Sequence, residues 1–316
     1  MTVSSVATGN EGISLLVGNA AYVPLNTRAL VSGGSTGSVI NDIVYFDIAT
    51  TGNATDFGDL TQARRIHAGT GSITRGLFGG GLTSVEVNTI DYVTIASTGN
   101  ATDFGDLTQA RYTDGACSSS TRGLWGAGEG ATLSNVIDYV TIATTGNATD
   151  FGDVTVARWG AHAFGSPTRG VWACGYTGSK LNVIDYVTIA TLGNATDFGD
   201  ATVARNSVGA CSNSTRGLIG GGDPVSGSYD TIDYVTIAST GNATDFGDLS
   251  VARTNVTGTA STVRGVFIAG VNSSSTRQNV IDYATIASTG NATDFGDLIV
   301  ATDSPASTSG SHGGLQ

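Results

Sequence analysis

One seven-residue sequence, Asn-Ala-Thr-Asp-Phe-Gly-Asp, occurs six times without a change in this chain of 316 residues. Successive copies are separated by 47, 47, 47, 48 and 49 residues. Their phenylalanines are Phe57, Phe104, Phe151, Phe198, Phe246 and Phe295. A repeat at this period indicates that one supersecondary unit is stacked several times, so the fold must be an architecture built from repeats.

Residues 114–158 show how one repeat divides into four short strands. We predict strands at 116–120, 124–128, 136–144 and 148–154, which are rich in small, β-branched and aromatic residues. Gly146 and Asn147 form the turn between the third and fourth strands, because both residue types accept a positive φ. Four antiparallel strands in about 47 residues correspond to one propeller blade. Six such sets predict an all-β fold, a six-bladed β-propeller with four antiparallel strands per blade.

The two ends of the chain compete for one place in this ring. The strand sets begin at Arg28, Arg75, Arg122, Arg169, Arg216 and Arg264. Residues 300–310 and residues 20–26 both have the phase of a first strand, and either can complete the blade that begins at Arg28. We favour the C-terminal strand, because it fastens both ends of the ring. Residues 1–26 then form an N-terminal extension or docking segment, and residues 27–316 form the propeller; a seventh, incomplete blade is the alternative.

Two features of the repeat resemble the Kelch family of propellers. Glycine pairs in the second strand match the Kelch double glycine at residues 33–34, 79–81 and 220–222. A tyrosine in the third strand matches at Tyr45, Tyr92, Tyr139, Tyr186, Tyr234 and Tyr283. The Kelch tryptophan is replaced by the phenylalanines of the heptapeptide, so the repeats are Kelch-like. The resemblance implies a propeller and no particular function.

Composition excludes some partners. The net charge is −12 and charged residues make up 13% of the chain, so nucleic-acid backbones and anionic membranes would repel it. We expect no secretory signal, no membrane insertion and a reducing compartment of synthesis, with Cys117, Cys174 and Cys211 as small buried residues. Asn-Ala-Thr is also a glycosylation pattern, which we interpret as incidental without a signal peptide.

The repeated charges favour a structural role. We predict Arg–Asp pairs between blades, with the heptapeptide carboxylates as partners of the repeated arginines. Calcium suits carboxylate-bearing turns, but the spacing matches neither an EF-hand nor a nonapeptide loop, so we predict no cofactor, with calcium as the alternative. His67, His162 and His312 lie near first strands at different phases, and we expect solvated residues at the channel mouth in preference to a metal site.

The loops divide into a uniform set and a variable set. Loops that join strands one and two, or three and four, are nearly identical in all repeats, whereas loops that join strands two and three, or one blade to the next, differ in each. The two sets emerge on opposite faces of a propeller. Exposed aromatic and hydrogen-bonding side chains suit sugar rings or protein partners. The candidate binding residues of the variable face are Tyr112, Asp114, Glu129, Trp159, His162, Tyr176, Asp223 and Tyr229.

The near-identical repeats resemble those of virion structural proteins of marine phages, including cyanophages. That resemblance implies a tail, tail-fibre or surface component, made in the host cytoplasm and located in the virion. It implies a symmetric assembly, contact with other virion proteins through the N-terminal segment, and a host-surface glycan or protein as ligand. A cellular carbohydrate- or protein-binding propeller is the alternative. A glycan-active enzyme would need two converging carboxylates, for which Asp114 and Glu129 are the candidate pair; we expect no enzymatic activity.

Overall fold

The computed structural model describes residues 27–113, 115–223 and 230–310. Its elements are strands: β1 Arg28–Ser32, β2 Asp42–Asp47, β3 Thr55–Asp59, β4 Ala68–Gly71, β5 Arg75–Gly79, β6 Thr89–Thr94, β7 Thr102–Asp106, β8 Gly115–Ser118, β9 Arg122–Gly126, β10 Val136–Thr141, β11 Thr149–Asp153, β12 His162–Gly165, β13 Arg169–Tyr176, β14 Lys180–Thr188, β15 Thr196–Asp200, β16 Gly209–Ser212, β17 Arg216–Gly220, β18 Thr231–Thr236, β19 Thr244–Asp248, β20 Arg253–Thr254, β21 Thr257–Ala260, β22 Arg264–Ile268, β23 Val271–Asn272, β24 Gln278–Thr285, β25 Thr293–Thr302 and β26 Ala306–Ser309.

These strands form six antiparallel four-stranded sheets and one short two-stranded ladder, β20 with β23. From the channel outwards the sheets are β26-β1-β2-β3, β4-β5-β6-β7, β8-β9-β10-β11, β12-β13-β14-β15, β16-β17-β18-β19 and β21-β22-β24-β25. The innermost strands contact one another in a closed ring. The predicted all-β, six-bladed propeller with four antiparallel strands per blade is therefore confirmed.

The first blade takes its innermost strand from the far end of the chain. β26 pairs with β1, with Ala29 opposite Ser309 and Ser32 opposite Ala306. Strands 28–32 and 306–309 thus belong to one sheet, which joins the two ends of the described chain. The predicted docking segment, residues 1–26, lies outside the described residues. Within those residues, no helix is both long and apolar enough to cross a bilayer.

The hydrophobic core lies between neighbouring blades. One cluster combines Leu77, Ile90 and Phe104 of the second blade with Trp125 and Val140 of the third. The heptapeptide phenylalanine is buried in every blade, and each packs edge-on against the repeated tyrosine at 5.8 to 6.0 Å. The repeated apolar residues therefore hold blade to blade, as repeat architectures require.

Five buried ion pairs join the blades, but their carboxylates are not the predicted ones. Each pair joins an arginine that follows a fourth strand to the aspartate of Ile-Asp-Tyr in the third strand of the next blade. The pairs are Arg64–Asp91, Arg111–Asp138, Arg158–Asp185, Arg205–Asp233 and Arg253–Asp282, at 2.7 to 3.0 Å with both side chains fully buried. The expectation that the heptapeptide carboxylates pair with these arginines was wrong, because those carboxylates lie on the outermost strand, where water solvates them.

The arginine that begins the second strand of each blade has a different role; in four of the six blades it stands in a Thr-Arg-Gly sequence. Arg122, for example, stacks on the ring of Tyr139 at 5.0 Å and donates to the carbonyl of Ile189 in the next blade at 2.9 Å. All six blades repeat both contacts, including Arg264 to Ile48 across the ring closure. A cation over a tyrosine face and a charge-assisted hydrogen bond together make this a link between blades.

The Gly-Asn turn is a third link. The amide of Asp106 donates to Asn147 Oδ1 of the next blade at 3.1 Å, and the amide of Gly146 donates to the carbonyl of Phe104 at 2.7 Å. Of the two turn residues only Gly146 has a positive φ, 154°, so the predicted positive φ of Asn147 was wrong. The asparagine is needed as a hydrogen-bond acceptor between blades.

Candidate binding face

The variable loops are held in pairs. In every blade, the loop that enters the blade forms a backbone bridge with the loop between its second and third strands. The bridged pairs are Ser35 with Asp303, Arg65 with Leu82, Tyr112 with Glu129, Trp159 with Tyr176, Asn206 with Asp223, and Thr254 with Val271. We call these twelve residues the paired-loop face. Because the bridges join backbone atoms, each pair of loops has a fixed position whatever side chains it carries.

Backbone hydrogen bonds also tie the entering loops together around the channel mouth. Amides donate from Ile66 to Ser304, from Thr113 to Ile66, from Ser207 to Gly160, from Asn255 to Ser207 and from Ser304 to Asn255, at 2.9 to 3.2 Å. Ile66 has a φ of 52°, which is an unfavourable conformation for a β-branched residue. Such a conformation persists only where surrounding contacts hold it, and the backbone hydrogen bonds of the rim are such contacts.

An aromatic sector occupies the paired-loop face of the third and fourth blades. The rings of Tyr112 and Trp159 lie 6.4 Å apart, nearly perpendicular at 73°, and Trp159 and Tyr176 lie 5.4 Å apart, tilted by 53°. The hydroxyl of Tyr112 donates to the Glu129 carboxylate. All four side chains are half-buried, so part of each faces solvent. We use "aromatic sector" for Tyr112, Glu129, Trp159 and Tyr176.

A surface ion pair borders this sector. Lys180 is the chain's single lysine, and its Nζ lies 2.6 Å from Asp223 Oδ1 of the fifth blade. The Asp223 side chain is 41% exposed, so the pair is solvated and adds little to stability. It places donor and acceptor groups next to Tyr176, which pairs with Lys180 in the same hairpin.

The channel mouth is a blind depression beside the sector. A cavity of about 190 Å³ is lined by Trp159, His162 and residues of the entering loops, among them Arg65 and Asn255. Below it, a ring of small residues leaves a void of about 10 Å³, room for one water molecule. The ring comprises Gly69, Ala116, Ala163, Ala210, Gly258 and Ser307.

The two histidines of the described chain are buried, so the expectation of solvated channel-mouth residues was wrong. Burial lowers the pKa of His162 to about 3, and that imidazole is neutral in the mouth. Burial, helped by the nearby Arg64 charge, also lowers the pKa of His67 well below its usual value. His67 Nε2 and Ser32 Oγ are hydrogen-bonded at 2.9 Å. His312 lies outside the described residues.

The structure brings most of the candidate binding residues together. Tyr112, Glu129, Trp159 and Tyr176 form the aromatic sector, and Asp223 joins it through Lys180. His162 meets this sector at the channel mouth, where it lines the same cavity as Trp159. Asp114 and Tyr229 lie outside the described residues, and the possible acid pair of Asp114 with Glu129 therefore has no measured geometry. Over the part of the chain that is described, no three His, Cys, Asp or Glu residues converge as metal ligands would.

Sequence reasoning missed two residues of this site. Lys180 is the only lysine, and its loop differs from those of the other blades, which was a signal that it holds an individual position. Arg65 lies in one of the variable entering loops. Its place at the channel mouth depends on how the ring closes, which the sequence of its own repeat does not show.

No protein-family model matches the chain, and no curated protein matches it. The likenesses to Kelch repeats and to phage virion proteins therefore stay predictions, and function must be argued from the residues of the site.

Proposed function

We propose that this protein is a non-enzymatic binding protein and that its aromatic sector binds a glycan. The observation that carries the proposal is the half-exposed cluster of Tyr112, Trp159 and Tyr176 on a face whose backbone is fixed. The apolar C–H face of a sugar ring packs against an aromatic ring, and a rigid platform lowers the entropy lost on binding.

Polar groups of the sector suit the hydroxyls of a sugar. The Glu129 carboxylate keeps acceptor capacity beyond the bond from Tyr112, and Lys180 with Asp223 offers a donor and an acceptor on the opposite side of Tyr176. The mouth cavity of 190 Å³ is smaller than the roughly 300–1,000 Å³ of drug-sized ligand sites. It therefore suits one terminal ring of a glycan better than an extended segment.

The proposed setting is a phage virion, where a host-surface glycan would be the ligand. Support for it comes from the repeat sequence that resembles virion structural proteins, together with an acidic chain of −12 net charge that would not adhere to anionic surfaces without a specific contact. Cryo-electron microscopy of particles that contain the chain tests this setting. A free monomer with no particle attached would contradict it.

A glycan array with the full chain tests the binding site. Trp159→Ala should weaken binding at least about tenfold, as expected when the central aromatic side chain of a site is removed. Thr254→Ala is the matched control, because Thr254 holds the same bridged position in the sixth blade. Equal loss in both variants, or no binding of any glycan by the unaltered chain, would overturn the proposal, and unchanged thermal midpoints would show that both variants fold.

A further inference from the structure

The junction between the sixth and first blades differs from the other five. At each of those five junctions, an arginine and an aspartate form a buried ion pair, and the hydroxyl of an exposed residue donates to the aspartate; at the fourth-to-fifth junction these are Arg205, Asp233 and Thr202. At the closing junction the same three positions carry Thr302, Val44 and Ile299. A fully buried ion pair cannot form at these three positions, because none of the three residues carries a charge; the ion pair of this junction is Arg277 with Asp303, in which the arginine side chain is 36% exposed.

An apolar cleft of about 270 Å³ lies where the fully buried ion pair is lost. Its walls are mainly aliphatic, with Val31 and Val44 of the first blade and Leu298, Ile299 and Val300 of the sixth, and the exposed side chains of Asp42 and Asp56 also line it. Ile299 and Val300 are 56% and 47% exposed, although both belong to a strand. Exposing two large aliphatic side chains together next to an apolar cleft is unfavourable in water, so the cleft lacks a cover within the described residues.

The outermost strand is also longer here than in any other described blade. β25 runs over ten residues, Thr293–Thr302, whereas the outermost strands of the other blades have five. The extra length carries Ile299 and Val300 along the edge of the cleft. The hydrogen bond that joins blades on the face of the uniform loops is kept at this junction, since the Asp297 amide donates to Asn53 Oδ1 at 3.0 Å. The difference is thus confined to the half of the junction near the paired-loop face.

We propose that residues 13–17 of the same chain, Ile-Ser-Leu-Leu-Val, fill this cleft. Residues 1–26 contain a single charged side chain, Glu11, so burial of their apolar part removes little charge from water. The other part of the chain outside the described ends, residues 311–316, has one large aliphatic residue, Leu315. The N-terminal segment therefore matches the apolar cleft in chemistry.

The position and length of the segment also fit. The described chain starts immediately before β1, whose Val31 lines the cleft. From the start of β1 to the cleft is about one strand length, roughly 17 Å for five residues. The ten residue-to-residue steps from position 17 to position 27 span up to about 33 Å when the chain is extended. The segment can thus turn back along its own blade and reach the cleft. The N-terminal segment would then bind its own propeller, whereas the sequence alone suggested that it contacts another virion protein.

Disulfide cross-linking in the full chain tests the placement. Leu16→Cys combined with Ile299→Cys should form an intramolecular bridge, whereas Leu16→Cys with Thr202→Cys should not, because Thr202 is the counterpart of Ile299 at a distant junction. The native cysteines are buried and do not compete. A bridge that appears only in a dimer would show that another copy supplies the segment. That result, or equal cross-linking in the control, or no bridge at all, overturns the proposal.

Hydrogen exchange provides a second readout that needs no new cysteine. Amides of residues 13–17 should exchange on the order of tenfold more slowly than in an unprotected peptide. The variant Ile299→Thr with Val300→Gln installs residues that the first-to-second junction carries as Thr61 and Gln62, and it should therefore fold. Protection of residues 13–17 should be lost in it. Unprotected amides in the unaltered chain, or protection that survives the double substitution, would refute the placement.

Discussion

Removing Asp233 alone should destabilise the propeller more than removing Asp233 together with Arg205. Arg205 Nη2 lies 3.0 Å from Asp233 Oδ2 and donates to the Ile219 carbonyl at 3.1 Å, with neither side chain exposed. Asp233 also accepts from the Thr202 hydroxyl at 2.6 Å. In Asp233→Leu the guanidinium keeps its charge in a dry junction and the Thr202 hydroxyl loses its acceptor.

The expected magnitudes differ enough to be measured. Breaking one partner of a buried pair costs about 3–5 kcal/mol, because an uncompensated charge is left behind. Replacing both partners with apolar residues of similar volume, Arg205→Met with Asp233→Leu, removes the charge and its desolvation cost. We therefore expect the double variant to unfold within about 2 kcal/mol of the unaltered chain. The closing junction, with Thr302 and Val44, shows that a blade interface forms without the pair.

Urea unfolding of the unaltered chain, the two single variants and the double variant measures the coupling free energy. Asp223→Asn is the control for loss of a carboxylate from a solvated pair, and it should cost about 0–1 kcal/mol. Additive effects of the two single substitutions, or a cost below about 1 kcal/mol for Asp233→Leu, would refute the reasoning.

Three further predictions concern other parts of the fold. The folded-state pKa of His162 is about 3, which is below the unfolded value. The stability that the neutral imidazole contributes is therefore complete above about pH 6.5 and falls by about 1.4 kcal/mol per pH unit towards pH 3. In His162→Ala, the free energy of unfolding measured in urea should depend less steeply on pH. Gly105→Ala should cost roughly 2–4 kcal/mol, because a Cβ would lie 2.5 Å from the Gly146 carbonyl, whereas Gly146→Ala, with similar φ and open space, should cost less in the same thermal assay. Thiol reagents should modify no cysteine in the native protein and three after unfolding, because burial raises the pKa of Cys174 to about 11 and shields the others; rapid native labelling would contradict this. The cysteines are Cys117, Cys174 and Cys211.

The four-stranded blade could be predicted from the repeat, because its turns and its β-rich segments are compatible with one antiparallel arrangement of four strands. Strand bounds shifted by a few residues: the third strand of the example blade was predicted at 136–144 and ends at Thr141. The remaining residues of that segment form the link to the neighbouring blade, in which the Ile142 carbonyl accepts from Arg75. Local strand propensity cannot distinguish a residue within a strand from a residue that hydrogen-bonds to the neighbouring blade.

The charge partners were harder to predict. Five of the six repeats carry the same three aspartates, and of those three only the one inside the apolar Ile-Asp-Tyr segment is buried. A comparison of which repeats carry each charged residue identifies the partners. The arginine after the fourth strand and the aspartate of the third strand are both missing at the same junction, where Thr302 and Val44 replace them. Residues lost together at one junction indicate a contact, and that comparison also locates the cleft.

The contrast between the two faces has a physical cause. On the uniform face, blades are joined through side chains: the Arg122 guanidinium donates to the Ile189 carbonyl, and Asn147 Oδ1 accepts from the Asp106 amide, so a substitution there breaks a link. On the paired-loop face, backbone atoms make the bridges, and Trp159 with Tyr176 is bridged as Thr254 with Val271 is. Side chains on that face can change without loss of the fold. Divergence is therefore permitted there by the structure, and what argues for binding is the aromatic sector itself, whose half-exposed rings no contact between blades requires.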